Sequence, residues 1–148
     1  MTGWILQAVL IAQVVGSAGM FGVIWVIQLV HYPLMRKVPI AAFGEFEAEH
    51  QRRITYVVGP LMALEGVSVL AVFFLRPSCL SFALVLAGGL VEAVAIGTTA
   101  FVSAPMHGRM AASGKPELLD RLIATNWIRT AAWTARAALA IVMFAACR

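Results

Sequence analysis

Glu47 and His50 form a Glu-x-x-His pair in the segment FGEFEAEHQRR, residues 43–53. The segment has good helix formers and no Gly or Pro after Gly44, so it reads as a helix. Spacing of i, i+3 sets both side chains on one helix face. In di-iron four-helix proteins the same spacing supplies a bridging carboxylate and a terminal imidazole. Such a site needs two of these pairs, and this chain has one. The other two histidines extend the set: His31 lies in HYPLM and His107 in APMHGRM, each near a proline. Three imidazoles and a carboxylate suit Fe, Cu or Zn, which makes His31, Glu47, His50 and His107 the candidate metal ligands. The plainer alternative is a solvated amphipathic helix with Glu49 and Arg53 paired at i, i+4. The histidines would then sit at a membrane interface and reach for water or backbone carbonyls.

Proton chemistry is the second use of these groups. His50 or His107 could act as a base, and Asn126 and Arg129 could stabilise the oxyanion that results. Asn126, Arg129 and Trp133 fall on one face of a helix, although Trp and Arg there would also serve as an interface anchor. Glu65, Glu92 and Arg136 lie within apolar stretches, where each charge costs at least about 2.5–3.5 kcal/mol. An Arg136–Glu salt bridge that fixes helix register, plus one spare proton-handling carboxylate, is the expected arrangement. Glu65 and Glu92 are therefore candidate catalytic residues. Glu65 follows Glu47 by eighteen residues, or five turns of a continuous helix, which puts both on one face. Gln28, one turn before His31, could line the same cavity; Gln7 and Gln13 are further polar residues of the first span.

These side chains need a scaffold, and the composition says which kind. The chain is 61% hydrophobic and 12% charged, with mean hydropathy +0.90. A soluble domain carries roughly twice that charge fraction. Four apolar spans are expected, near residues 4–30, 54–75, 80–102 and 130–146, each near the roughly 20 residues that cross a bilayer. No period-two alternation favours strands, and lipid demands internal backbone pairing. The expected fold is all-α: one domain, an integral membrane four-helix bundle. Gly16, Gly19 and Gly22 with Ser17 and Ala18 offer small residues for close helix packing.

Basic residues orient it. Arg36, Lys37, Arg52 and Arg53 lie between spans one and two, and Arg109, Lys115, Arg121 and Arg129 between spans three and four. The positive-inside rule puts both loops in the cytoplasm and both termini on the outer side, in a bacterial inner (cytoplasmic) membrane. The net charge of +4 then reflects topology and anionic lipid; nucleic acid is an unsuited partner. Met1-Thr2-Gly3 lacks a basic n-region, so the first span is expected to stay in place. Cys79 and Cys147 share the outer face and are free to pair or to stand as two small apolar residues.

Tyr32-Pro33-Leu34-Met35, Ala104-Pro105-Met106-His107 and Asn126-Trp127-Ile128-Arg129-Thr130, in this four-span layout, resemble the anthrone oxygenase-like family of small membrane proteins. That pattern often has Asn where this chain has His107, and it does not generally require His31 and His50. The resemblance implies an oxidoreductase or oxygenase acting on a hydrophobic aromatic or quinone-like small molecule that enters from the bilayer. Two other classes remain: an accessory subunit of a membrane complex, and a small proton-coupled transporter, which with four spans would need a homo-oligomer. No Gly-rich loop in a strand–helix setting is present, so no nucleotide cofactor is expected. Haem attachment through C-x-x-C-H is absent as well.

Overall fold

A computed structural model describes residues 3–148. Four long helices account for nearly all of it: α1 (Gly3–Met35), α2 (Ile40–Leu75), α3 (Phe82–Ser113) and α4 (Leu119–Ala146). Each is long and apolar enough to cross a membrane, the mark of an integral membrane protein. The outside is apolar too: Phe101, Phe74, Val67 and Leu90 are all more than half exposed. In water such a belt would drive aggregation; hydrocarbon removes that cost. Among the described residues no strand occurs.

Short links fix the order. Pro39, in an extended conformation, precedes α2, and its carbonyl accepts from Ala42 N at 3.0 Å. α2 stops where Arg76 turns left-handed (φ 44°), just before Pro77, because a proline cannot continue the hydrogen-bond ladder. Ser81 caps α3, its hydroxyl accepting from Leu84 N at 3.3 Å. Gly114, at φ 67°, closes α3 and donates to Met110 O at 2.9 Å; glycine takes this conformation without a Cβ penalty. α1 packs on α2 and α4, and α4 packs on α3 as well.

All four helices outrun the expected spans: α1 continues to Met35, α2 begins at Ile40, α3 continues to Ser113 and α4 begins at Leu119. The added turns are amphipathic and carry the charges, so hydropathy alone truncates them. Pro33 and Pro105 do not end their helices either. In α1 the turn Ile27–His31, and in α3 the turn Thr99–Ser103, widens to π geometry. Tyr32 N–H reaches Ile27 O, and Ala104 N–H reaches Thr99 O. The proline follows that donor by one residue in each case. The widened turn absorbs the missing N–H and the ring clash that would otherwise break the helix.

The core is stacked in layers. Tyr32, Met35, Phe43, Met110 and Leu122 pack at the end carrying residues 36–39 and 114–118, here called the basic end. Met20, Ile24, Ala95 and Trp133 fill the middle. Leu10, Val72, Val85 and Met143 fill the other end. There a Cys79–Cys147 disulfide joins the α2–α3 link to the C-terminus, with Cα atoms 5.3 Å apart, and Gln7 Nε2 donates to Cys147 O at 3.0 Å.

Candidate functional site

At the basic end three helices bring ionisable groups together. Glu47 of α2 is fully buried, and its Oε1 bonds His107 Nδ1 of α3. The other ring nitrogen, Nε2, lies 3.0 Å from the Tyr32 hydroxyl of α1. A carboxylate thus orients an imidazole, and the imidazole can take the phenol proton, the order in which an activated nucleophile or base is built. Glu47 therefore pairs across helices with His107 rather than along its own helix with His50. His50 instead stacks on His31, with ring centroids 4.3 Å apart, and stands 5.3 Å from the His107 ring.

A second chain of bonds holds the neighbouring wall. Arg129 Nε donates to Thr99 Oγ1 at 2.9 Å, and Arg129 Nη1 donates to Asn126 Oδ1 at 2.9 Å. Asn126 Nδ2 donates to Gln28 Oε1 at 2.7 Å, and Gln28 Nε2 to Ile123 O at 3.4 Å. Asn126 is fully buried and Arg129 only 5% exposed, so the guanidinium is held by fixed partners out of bulk water. Trp133 is buried on the same helix, while Trp127 lies outside and packs edge-on against Trp25, 5.9 Å away.

Between these walls lies a chamber of about 140 Å³, lined by Tyr32, His50, Thr99, Ser103, His107 and Arg129 among others. His50 also lines two larger cavities. One, about 640 Å³, is an apolar groove between α1 and α2, bounded by Gly19, Gly22, Val26, Val57, His31 and Arg53. The other, about 520 Å³, lies among Glu45, Phe46, Glu49, His31 and Arg53. His50 is thus the junction of a groove on the lipid-facing side, a polar cleft and the inner chamber.

The expected metal ligands converge without forming a metal site. Among the described residues no three His, Cys, Asp or Glu side chains stand so as to hold an ion. Imidazole lone pairs lie in the ring plane, so the stacked His31 and His50 rings, 26° apart in tilt, do not aim at one point. Glu47 Oε1 is engaged with His107. The arrangement fits proton transfer better than Fe, Cu or Zn ligation. Glu49 makes the surface pairs of the plainer alternative, to Arg53 at 2.5 Å and to Arg52 at 2.7 Å.

Glu65 and Glu92 belong elsewhere. Glu65 shares the buried face of α2 with Glu47 but lies about 27 Å farther along it, at 1.5 Å per residue. Arg136 Nε approaches Glu65 Oε1 at 2.6 Å and Glu92 Oε2 at 3.9 Å. The shorter contact is an ion pair without hydrogen-bond alignment, and both Arg136 terminal nitrogens lack a partner. Small residues make room for it. A Cβ on Gly16 would come within 3.0 Å of Glu65 Oε2, and one on Gly88 within 2.7 Å of Met143 Cε. The void beside Arg136 has no room for a water molecule. Neither carboxylate lines the chamber of His50 and His107.

Sequence reasoning did not assign roles to Tyr32, Thr99 and Ser103. The available signal was a polar residue two places before a proline, His31 before Pro33 and Ser103 before Pro105, each closing a π-turn. π-turns inside α-helices are frequent at functional sites. No protein-family model, curated protein or solved structure matches the chain.

Proposed function

We propose that the chain is a membrane-embedded oxidoreductase that oxidises a hydrophobic, aromatic or quinone-like small molecule, with the basic end as its active site. The observation that carries this reading is the Glu47–His107–Tyr32 relay opening on the same chamber as Arg129. The relay removes a proton from a weakly acidic C–H or O–H. Arg129, held by Asn126 and Thr99, faces the anion that forms, and charge stabilisation in a dry site is worth far more than in water. His50 stands at the mouth of the apolar groove as the first polar group a lipid-dissolved molecule meets.

For an anthrone-like ketone, loss of a ring-CH₂ proton gives a phenolate-type anion that dioxygen oxidises. The CH₂ becomes a carbonyl, and the second oxygen atom leaves as water. This stoichiometry balances without a nucleotide. Purified protein in liposomes is expected to convert anthrone to anthraquinone with one O₂ consumed per product, well above the rate of empty liposomes. A rate equal to that of empty liposomes would sink the reading. Metal analysis of the same preparation separates proton-transfer catalysis from a metal-assisted version: iron, copper or zinc in stoichiometric amount, lost in His50→Ala, would establish the latter. Proton-driven uptake abolished by Glu92→Gln would instead favour transport, and a stable co-purifying partner would favour an accessory subunit.

Two independent features support one orientation. Basic residues cluster at one end of the bundle, and the disulfide closes the other. Disulfides persist in oxidising compartments. Both support an active site at the cytoplasmic face with the termini outside. Thiol-reactive labelling after reduction, with and without permeabilisation, tests it.

A further inference from the structure

Among the described residues four Ser or Thr side chains are buried: Ser17, Ser68, Ser103 and Thr130. Ser17 donates to Gln13 O at 2.6 Å, Ser68 to Glu65 O at 2.9 Å and Thr130 to Asn126 O at 3.0 Å. Such back-bonding is how a helix satisfies a hydroxyl in an apolar setting. Ser103 is 2% exposed, and its Oγ has no partner. Ser103 closes the π-turn, in which Thr99 O accepts from Ala104 N–H. Ser103 is one of the residues that line the chamber, with Tyr32, His107 and Arg129. A buried hydroxyl without a partner is costly, so a group that supplies one at this wall gains the difference.

We infer that Ser103 Oγ, beside the chamber shared with Arg129, is the group that recognises an acidic hydroxyl of the substrate, a phenol or enol oxygen on the reacting ring. A volume of about 140 Å³ takes that ring and not a whole hydrophobic molecule. The rest of the molecule must extend past His50, Ile27 and Ile54, which line both the chamber and the apolar groove. The substrate class is therefore an amphiphile with a compact hydroxylated aromatic head and an apolar body lying in the membrane. This inference rests on the active-site assignment above but needs no turnover to be tested.

The probes are 4-nonylphenol and its methyl ether, 4-nonylanisole, titrated into full-length protein in lipid nanodiscs and corrected with protein-free discs. The wild-type protein is expected to bind the phenol about ten-fold more tightly, since a site built for a hydroxyl rejects the analogue lacking it. Ser103→Ala should bring that ratio close to one, and Ser103→Cys, of similar size and a weaker donor, should leave it in between. Ser17→Ala, whose hydroxyl is satisfied within its helix, should keep the wild-type ratio. Should Ser103→Ala fail to fold, the cysteine variant decides alone. A wild-type protein indifferent to the methyl group, or a ratio unchanged in either Ser103 variant, overturns the inference. Ten-fold discrimination without anthrone oxidation would sink only the reaction proposed above. Oxidation with an unaltered ratio in Ser103→Ala would sink only the role of Ser103.

Discussion

Arg136 with Glu65 and Glu92, and His107 with Glu47 and Tyr32, are both polar clusters buried in apolar surroundings, yet their neighbours differ. Around Arg136 the glycines of α1 and α3 let side chains close in until no water-sized space remains. Around His107 three cavities meet at His50. Hydrogen bonding differs in the same sense: the relay and the Arg129 wall are aligned pair by pair, while most polar atoms of the Arg136 cluster are unaligned or unpartnered. A buried charge is therefore a poor guide to function by itself. Access and alignment separate a chemical site from a brace.

Several substitutions would break or sharpen this contrast. The largest effect is expected at the relay. His107→Ala should lower the oxidation rate by about 10²–10⁴, the usual range for a general base, read per folded molecule because the variant also strands the buried Glu47 carboxyl. Tyr32→Phe, which keeps the ring, should follow it. A rate loss that tracks unfolding in these variants would make the relay a brace as well. Next comes Arg136→Leu, expected to cost about 3–5 kcal/mol because it strands buried carboxyls, read from denaturant unfolding in micelles. Adding Glu65→Leu and Glu92→Leu should restore most of that loss. A triple variant that stays stable but inactive would move the cluster into the mechanism.

Opening the disulfide by Cys79→Ser with Cys147→Ser should cost about 2–4 kcal/mol and leave the rate per folded molecule unchanged, since the bridge lies at the far end of the bundle. The smallest effect compares two glycines. Gly88→Ala, whose Cβ would meet Met143 Cε at 2.7 Å, is expected to cost about 1–3 kcal/mol. Gly22→Ala, with nothing within 4 Å of the added atom, should change stability by less than about 0.5 kcal/mol.

Much of the architecture was legible. Apolar runs located four helices, since nothing else explains runs of that length. A pair between Arg136 and one of the two glutamates followed from the cost of mid-span charges, though not that Glu65 is the nearer partner, and Arg129 with Asn126 followed from their spacing on one face. The partner of Glu47 was not legible. An i, i+3 rule sees only neighbours on one helix, and His107 comes from another. Helix ends ran past the apolar spans wherever amphipathic turns diluted the hydropathy, as in residues 103–113 and 119–129, whereas 43–53 read as helix from its residue types. Local sterics ask a helix to stop or bend at Pro33 and Pro105, and a π-turn offers the backbone a way through that propensity does not encode. Ser103 stayed hidden for that reason: its place at the close of a widened turn is not written in the local sequence.

The widened turns in α1 and α3 also act as phase shifters. Each inserts extra winding, so all side chains beyond it face a direction that a plain helix would give to the preceding residue, about 100° away. Tyr32 and His107 both lie just past such a shift. Deleting a single lipid-facing residue within the turn, such as Val30 in α1, would let the coil regain its regular pitch. The same amino acids would then swing out of the chamber toward the bilayer, so a one-codon loss could silence the chemistry while sparing nearly every contact in the rest of the bundle.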